Sequence, residues 1–152
     1  MKVREIMDTK FISLKKGATY EEVFKVLDSN DISGAPIVDE NNKIIGIVSE
    51  KDLFRVLFPF YTSYYNNPEL YVDYEARESK IDEIKNHKVE IFMSRDFVHI
   101  HPDDPVLRAG ALMLAKNISR LPVVENGEFV GMIWRRDIYK TILKKSLLKE
   151  EV

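Results

Sequence analysis

The stretch Ile32–Asp52, ISGAPIVDENNKIIGIVSEKD, returns as Ile118–Asp137, ISRLPVVENGEFVGMIWRRD. Ile32, Ser33, Pro36 and Val38 match Ile118, Ser119, Pro122 and Val124 at an offset of 86 residues. One residue is then dropped in the turn, so Gly46 and Asp52 fall on Gly131 and Asp137. A repeat of this period decides the architecture before any single motif does. The chain reads as two copies of one unit, residues 1–58 and 89–152, separated by an unmatched insertion, 59–88.

Working outward from the first copy, Val3–Met7 forms a short apolar turn and Phe11–Leu14 a strand. Thr19, with Glu22 three residues on, opens a helix through a capping box. Tyr20, Val23, Phe24 and Leu27 give that helix one apolar face, and it ends near Asn30. Ala35–Asp39 and Ile44–Val48 are the strands of a hairpin turned by Glu40–Lys43. A second helix runs from Ser49 to about Phe58, where Pro59 stops it.

The second copy repeats the plan. Val89–Met93 matches the opening turn, and Phe97–His101 is its strand. Asp104 followed by Pro105 predicts an N-cap and first helical residue. Val106, Ala109, Gly110 and Met113 then stand where Tyr20, Val23, Phe24 and Leu27 stood. The hairpin strands Leu121–Val124 and Phe129–Ile133 are joined through Asn126-Gly127, a favoured two-residue turn. A last helix covers about Arg135–Lys149. The insertion holds a ring-rich stretch, FPFYTSYYNNPELYVDY over 58–74, and then a charged helix from Pro68 to about Asn86. Rings at this density point to burial on the repeats or on a second subunit.

At 152 residues, 45% apolar and 32% charged, the chain has the composition of a soluble globular protein. A net charge of −2 argues against a protein built to neutralise nucleic-acid phosphates. The absence of cysteine removes disulfides, thiolate metal sites and cysteine catalysis. No apolar run is long enough to span a bilayer, and MKVREIMDTK lacks the apolar core of a signal peptide, so the expected compartment is the cytoplasm.

Paired units reading h-S-x-x-P-h-V-x-x-x-x-x-h-h-G-h-h-S-x-x-D, with h apolar, resemble the CBS domain, the repeat first named from cystathionine β-synthase. The resemblance covers both copies and leaves only the insertion outside. It implies an α+β fold of two β-α-β-β-α repeats packed about a pseudo-two-fold axis. It also implies clefts between the repeats that hold AMP, ADP, ATP or S-adenosylmethionine, and a regulatory role without chemistry. Pairs of such modules commonly join into a four-repeat disc, so a homodimer is expected, with a regulated protein as the further partner.

The same resemblance assigns candidate ligand contacts. Asp52 and Asp137 match the family's ribose-binding Asp, and Ser49 its supporting hydroxyl. A well-capped helix accounts for Ser49 and Asp52 equally, since Ser at N-cap with Asp at N3 is a common helix start, and one side chain can do both. Trp134 replaces that Ser in the second copy, where its bulk would fill the cleft or stack on adenine. The residues three and two places before each proline, Ser33 and Gly34, Ser119 and Arg120, match positions that line the cleft and touch phosphate. Arg120 carries the strongest expectation because a guanidinium fits phosphate oxygens in a bidentate fork.

Other polar groups read as structure. His99 and His101 share a strand face without a third metal ligand nearby in sequence, so no metal site is expected. Arg136, Lys140 and Lys144 recur down the last helix as a solvated face, or as a docking strip for an acidic partner. No nucleophile–base pair and no Gly-rich phosphate loop is present, which argues against an enzyme. The alternative to a nucleotide-binding regulator is a ligand-free assembly module, favoured by Gly34 and Trp134 as weak contact choices. The two copies agree on fold and differ at the site, which favours one competent cleft over two.

Overall fold

Thr19 opens helix α1 (Tyr20–Ser29) by the reciprocal cap its sequence predicts. Thr19 Oγ1 accepts the Glu22 N–H at 3.2 Å, and Glu22 Oε2 accepts the Thr19 N–H at 3.1 Å. The helix ends on Asp31, held in the left-handed region at φ 50°, and the Ile32 N–H reaches back to the Leu27 carbonyl at 3.0 Å. Asn117, at φ 52°, and the Ile118–Met113 bond of 2.9 Å repeat this ending in the second copy. This is a helix stop in which the residue after the left-handed one also makes the apolar contact. It explains the isoleucine that begins each repeated stretch: Ile32 and Ile118 pack on the cores that hold Leu27 and Met113.

The computed structural model describes residues 1–58, 75, 78 and 81–151. They form two compact units. The first-copy unit comprises Ser13–Glu40 and Ile45–Asp96; the second-copy unit comprises Met1–Ile12, Asn41–Ile44 and Phe97–Val152.

In the first-copy unit, β1 (Leu14–Lys15) runs parallel to β2 (Gly34–Val38), pairing Leu14 with Ile37 and Lys15 with Val38. β3 (Ile44–Ser49) lies on the other side of β2 and leads directly into α2 (Glu50–Val56). The order is β-α-β-β-α, the mixed α+β plan expected. Val23, Ile37, Val48 and Val89 are fully buried in one core, each side chain stabilising the fold by about 1.5–3 kcal/mol on transfer from water. Helix α3 (Ile81–Ile84) adds the buried Ile84. The expectations for the ring-rich stretch and for most of the charged helix lie outside the described residues.

The second-copy unit holds α4 (Val106–Lys116), β4 (Arg120–Glu125), β5 (Glu128–Trp134) and α5 (Arg135–Leu143), which continues as a π-helical turn over Lys144–Leu148. β4 and β5 are antiparallel and close through Asn126-Gly127, both at positive φ (53° and 78°), the mirror-image turn this dipeptide favours. Its core gathers Val3, Ile100, Val106, Met113, Leu121 and Ile133.

Each unit is completed by the leading segment of the other copy. Val3 is buried with the second-copy core and Val89 with the first-copy core. Their N–H groups bond Asp104 O at 2.9 Å and Ala18 O at 2.8 Å, at equivalent places in the two repeats. Asp8 bridges Met132, and Ser94 bridges Ile47, each through two backbone hydrogen bonds on a hairpin's second strand. The segments also cross Gly131 and Gly46. A Cβ at Gly46 would lie 2.6 Å from Met93 Sδ and 2.9 Å from Ser94 O; one at Gly131 would lie 2.9 Å from Met7 Sδ. The glycine of the repeated motif is therefore a requirement of close approach.

Three sequence expectations are corrected. The strand expected over Phe11–Leu14 is confined to Leu14–Lys15, because Phe11 packs its ring on Phe129, 3.9 Å between centroids, within the second-copy unit. The strand expected over Phe97–His101 reduces to one bridge, Ile100 with Val123. The N-cap of α4 is Pro105, at φ −64° and ψ 139°, rather than Asp104. Proline has no side-chain oxygen to cap with, so the first helical N–H, on Val106, bonds the Met1 carbonyl at 3.0 Å. Asp104 instead accepts the His101 N–H and pairs with Arg108 at 2.6 Å.

Candidate functional site

A single backbone hydrogen bond recurs where β3 and β5 hand over to their helices. Glu50 N–H donates to Ser33 O at 2.9 Å, and Arg135 N–H donates to Ser119 O at 2.8 Å. Within each unit this bond joins the start of the hairpin to the first residue of the closing helix. It therefore brings Ser33 and Gly34 beside Ser49 and Asp52, and Ser119 and Arg120 beside Trp134 and Asp137. All eight sequence-predicted residues fall into these two clusters.

In the first-copy unit, Ser49 caps α2 in an extended conformation and Asp52 is the third helical residue. Asp52 Oδ2 accepts both the Ser49 N–H at 2.8 Å and the Ser49 hydroxyl at 3.1 Å. Its Oδ1 faces Arg55 Nη1 at 3.4 Å. Asp52 is only 8% exposed, the one buried charged side chain among the described residues. Burial of a carboxylate is tolerated because three donors surround it. Gly34 is buried and Ser33 exposed.

The second-copy cluster is built differently. Trp134 occupies the cap position of α5 and supplies no oxygen. Arg120 is its cross-strand partner, and the Arg120 guanidinium carbon stands 5.9 Å from the centre of the Trp134 ring, within cation–π range. Ser119 and Asp137 are exposed, and the Asp137 carboxylate makes no hydrogen bond or ion pair with the described residues. One unit thus carries an aspartate already held by its own helix cap. The other carries an exposed aspartate in the first turn of a helix whose cap position is an indole with a guanidinium over its ring.

A further cluster was only half legible. His101, Asp103 and Glu125 bring one ligand-type atom each to within 4.8 Å of one another. Asp103 follows His101 by two residues, but Glu125 arrives through the Ile100–Val123 bridge, which no sequence spacing signals. Arg4 already lies among these carboxylates, with Nε 2.7 Å from Asp103 and Nη2 3.8 Å from Glu125. The hydrogen bond from Arg4 holds the Asp103 carboxyl below the ordinary carboxylate range and raises the guanidinium's own pKa. The arrangement is an ion cluster that fastens the leading segment to the second-copy unit. His99 stands apart from it, beside Phe97.

Two units with the same helix stops, the same crossing of the motif glycine by a leading segment and an aspartate at the same place on the closing helix define a tandem-repeat protein. The chain belongs to the CBS-domain family, whose sequence profile matches residues 3–59 and 88–144. It is 29% identical over 140 residues to protein MJ1225 of Methanocaldococcus jannaschii, covering 92% of this chain and 42% of that one. To protein MJ1426 of the same organism it is 30% identical over 156 residues, covering 91% and 93%. Among solved structures, the CBS domain pair of protein MJ0100 matches with a TM-score of 0.69 and 26% identity, over 93% of this chain and 99% of that one. MJ0100 was crystallised with 5′-methylthioadenosine and S-adenosyl-L-methionine. CBS pairs are in general regulatory, non-catalytic modules. No helix among the described residues is long and apolar enough to cross a membrane.

Proposed function

We propose that this chain is a cytoplasmic regulatory module that binds an adenine nucleotide, AMP, ADP or ATP, or an adenosyl ligand such as S-adenosylmethionine. Ligand binding favours one conformation, and a partner protein reads that conformation. The observation that carries the reading is the recurrent Ser33–Glu50 and Ser119–Arg135 bond, which sets a helix-borne aspartate beside the residues that open the hairpin in both copies. An aspartate so placed can accept from both cis hydroxyls of a ribose. Asp137 is open for this and has Arg120 for phosphate and Trp134 for the base; Asp52 is oriented but shielded by Ser49 and Arg55. The ligand complex of MJ0100 supports the choice of ligand class.

A second reading, a ligand-free assembly module, is favoured by one observation: the Asp52 carboxylate is already satisfied within its own helix cap. Thermal unfolding with AMP, ADP, ATP and S-adenosylmethionine separates the two. A ligand at about 100 times its dissociation constant adds roughly 2.7 kcal/mol. A shift abolished by Asp137→Ala or Asp52→Ala supports the regulator; no shift with any of the four ligands favours assembly. The module is proposed to act as a homodimer.

A further inference from the structure

The five methionines of the chain stand in unequal surroundings. Met113 and Met132 are buried, Met1 is 39% exposed, and Met7 and Met93 belong to the two leading segments. Met7 and Met93 are 86 residues apart, the offset of the repeat, and each lays its thioether across the motif glycine. An unbranched, polarisable side chain can lie along a backbone where a branched one cannot. The two seats nevertheless differ. Met93 is buried within the first-copy core, and a Cβ at Gly46 would lie 2.6 Å from its sulfur. Met7 is only half-buried against the second-copy core, and the matching distance at Gly131 is 2.9 Å.

Met7 directly precedes the residue that ties the leading segment to β5. The Asp8 N–H donates to Met132 O at 2.7 Å, and the Met132 N–H donates to Asp8 O at 2.9 Å. An oxygen added to the Met7 sulfur would be a strong acceptor in need of a donor. Both of these N–H groups are already engaged in the bridge, and the backbone oxygen at this seat, Asp8 O, is itself an acceptor. A buried acceptor without a partner destabilises the arrangement that buries it. Lifting the segment off Gly131 lets water supply the missing donor.

We propose that Met7 is an oxidation site, and that its sulfoxide releases the leading segment from β5 while Met93 stays protected by burial. The oxidant is hydrogen peroxide. Two electrons pass from sulfur to the peroxide, the O–O bond breaks, one oxygen forms the S–O bond, and the other leaves as water. The device acts on the second-copy unit alone and is independent of which ligand binds.

Peroxide treatment of the folded protein, followed by peptide mass spectrometry and amide hydrogen exchange, tests this. Met1 and Met7 are expected to gain one oxygen each, while Met93, Met113 and Met132 stay unmodified. Exchange over Met1–Ile12 and β5 should then quicken by about tenfold or more, the effect of leaving a polar group unpaired in a buried seat. Methionine sulfoxide reductase with dithiothreitol should restore slow exchange. Met7→Leu, a swap of similar volume, should exchange slowly before and after peroxide, although its Met1 is still oxidised. Three results overturn the proposal: Met7 unmodified when Met1 is fully oxidised, oxidised Met7 with unchanged exchange, or Met7→Leu as sensitive to peroxide as the wild type.

Discussion

Arg120 and Trp134 are cross-strand partners whose side chains meet, the guanidinium carbon 5.9 Å from the indole centroid. Trp134 is the chain's single tryptophan, so its fluorescence reports on this cluster alone. Titration with an adenine ligand is expected to change that emission. Arg120→Ala should then weaken ATP by about tenfold or more, the worth of a hydrogen bond to a charged group, while affecting adenosine much less. Equal losses for both would show that Arg120 does not contact phosphate.

The two aspartates should part company in stability. Asp52→Ala removes the acceptor of the Ser49 N–H and hydroxyl and leaves Arg55 without its partner, at a cost of about 1–2 kcal/mol. For a chain of this size that corresponds to a fall of roughly 2–8 °C in midpoint. Asp137→Ala, at an exposed position without such bonds, should leave the midpoint within the error of the scan. Calorimetry without ligand checks both, and equal midpoints would contradict the shielded geometry of Asp52.

Gly46→Ala and Gly131→Ala should both destabilise, by about 1–3 kcal/mol for overpacking. Gly46 should be the worse of the two, because its added methyl meets the Ser94 carbonyl at 2.9 Å, whereas the corresponding backbone contact at Gly131, Asp8 O, is 3.2 Å away. Adding Met93→Ala to Gly46→Ala relieves the sulfur contact but not the carbonyl one. Urea unfolding of the two singles and the double variant should therefore show partial rescue only.

Acid sensitivity should trace in part to Asp103. Its carboxyl is held below the ordinary range by the hydrogen bond from Arg4. A carboxyl with a depressed folded-state pKa contributes stability above its unfolded value and loses it as pH falls through the folded one. Unfolding measured from neutral to acid pH should fall less steeply in Asp103→Asn. An unchanged acid limb would show that the Arg4 pair contributes nothing to the fold.

Local chemistry was legible wherever a rule acts over a few residues. Thr19 with Glu22, Asn126-Gly127, and the hairpin strands around Pro36 and Pro122 all stand as the sequence predicts. The cap of α4 falls on Pro105 and not on Asp104, in agreement with the repeat, in which Pro105 is the counterpart of Thr19. Phe24 lies on the apolar face expected for α1 yet stays exposed, because periodicity finds a face and does not say what covers it. Of the candidate site, the residue pairs were legible and their environments were not. Whether an aspartate is buried under its own cap, like Asp52, or left open, like Asp137, depends on whether a serine or a tryptophan precedes the helix and on how the neighbouring side chains fold over it.

The exchange of leading segments makes the repeat boundary a poor place to cut. A fragment ending in the insertion keeps β1 to α2 but loses Val89 and Met93 from beneath them, and it retains a Val3 segment with nothing to cover. The complementary fragment has the opposite deficit. Split at that point, the two pieces are expected to be poor solo folders and good reassembly partners, because each carries the other's missing seal. Each repeat is thus sealed by its sibling, and the pair is expected to persist as a couple and not as two independent parts.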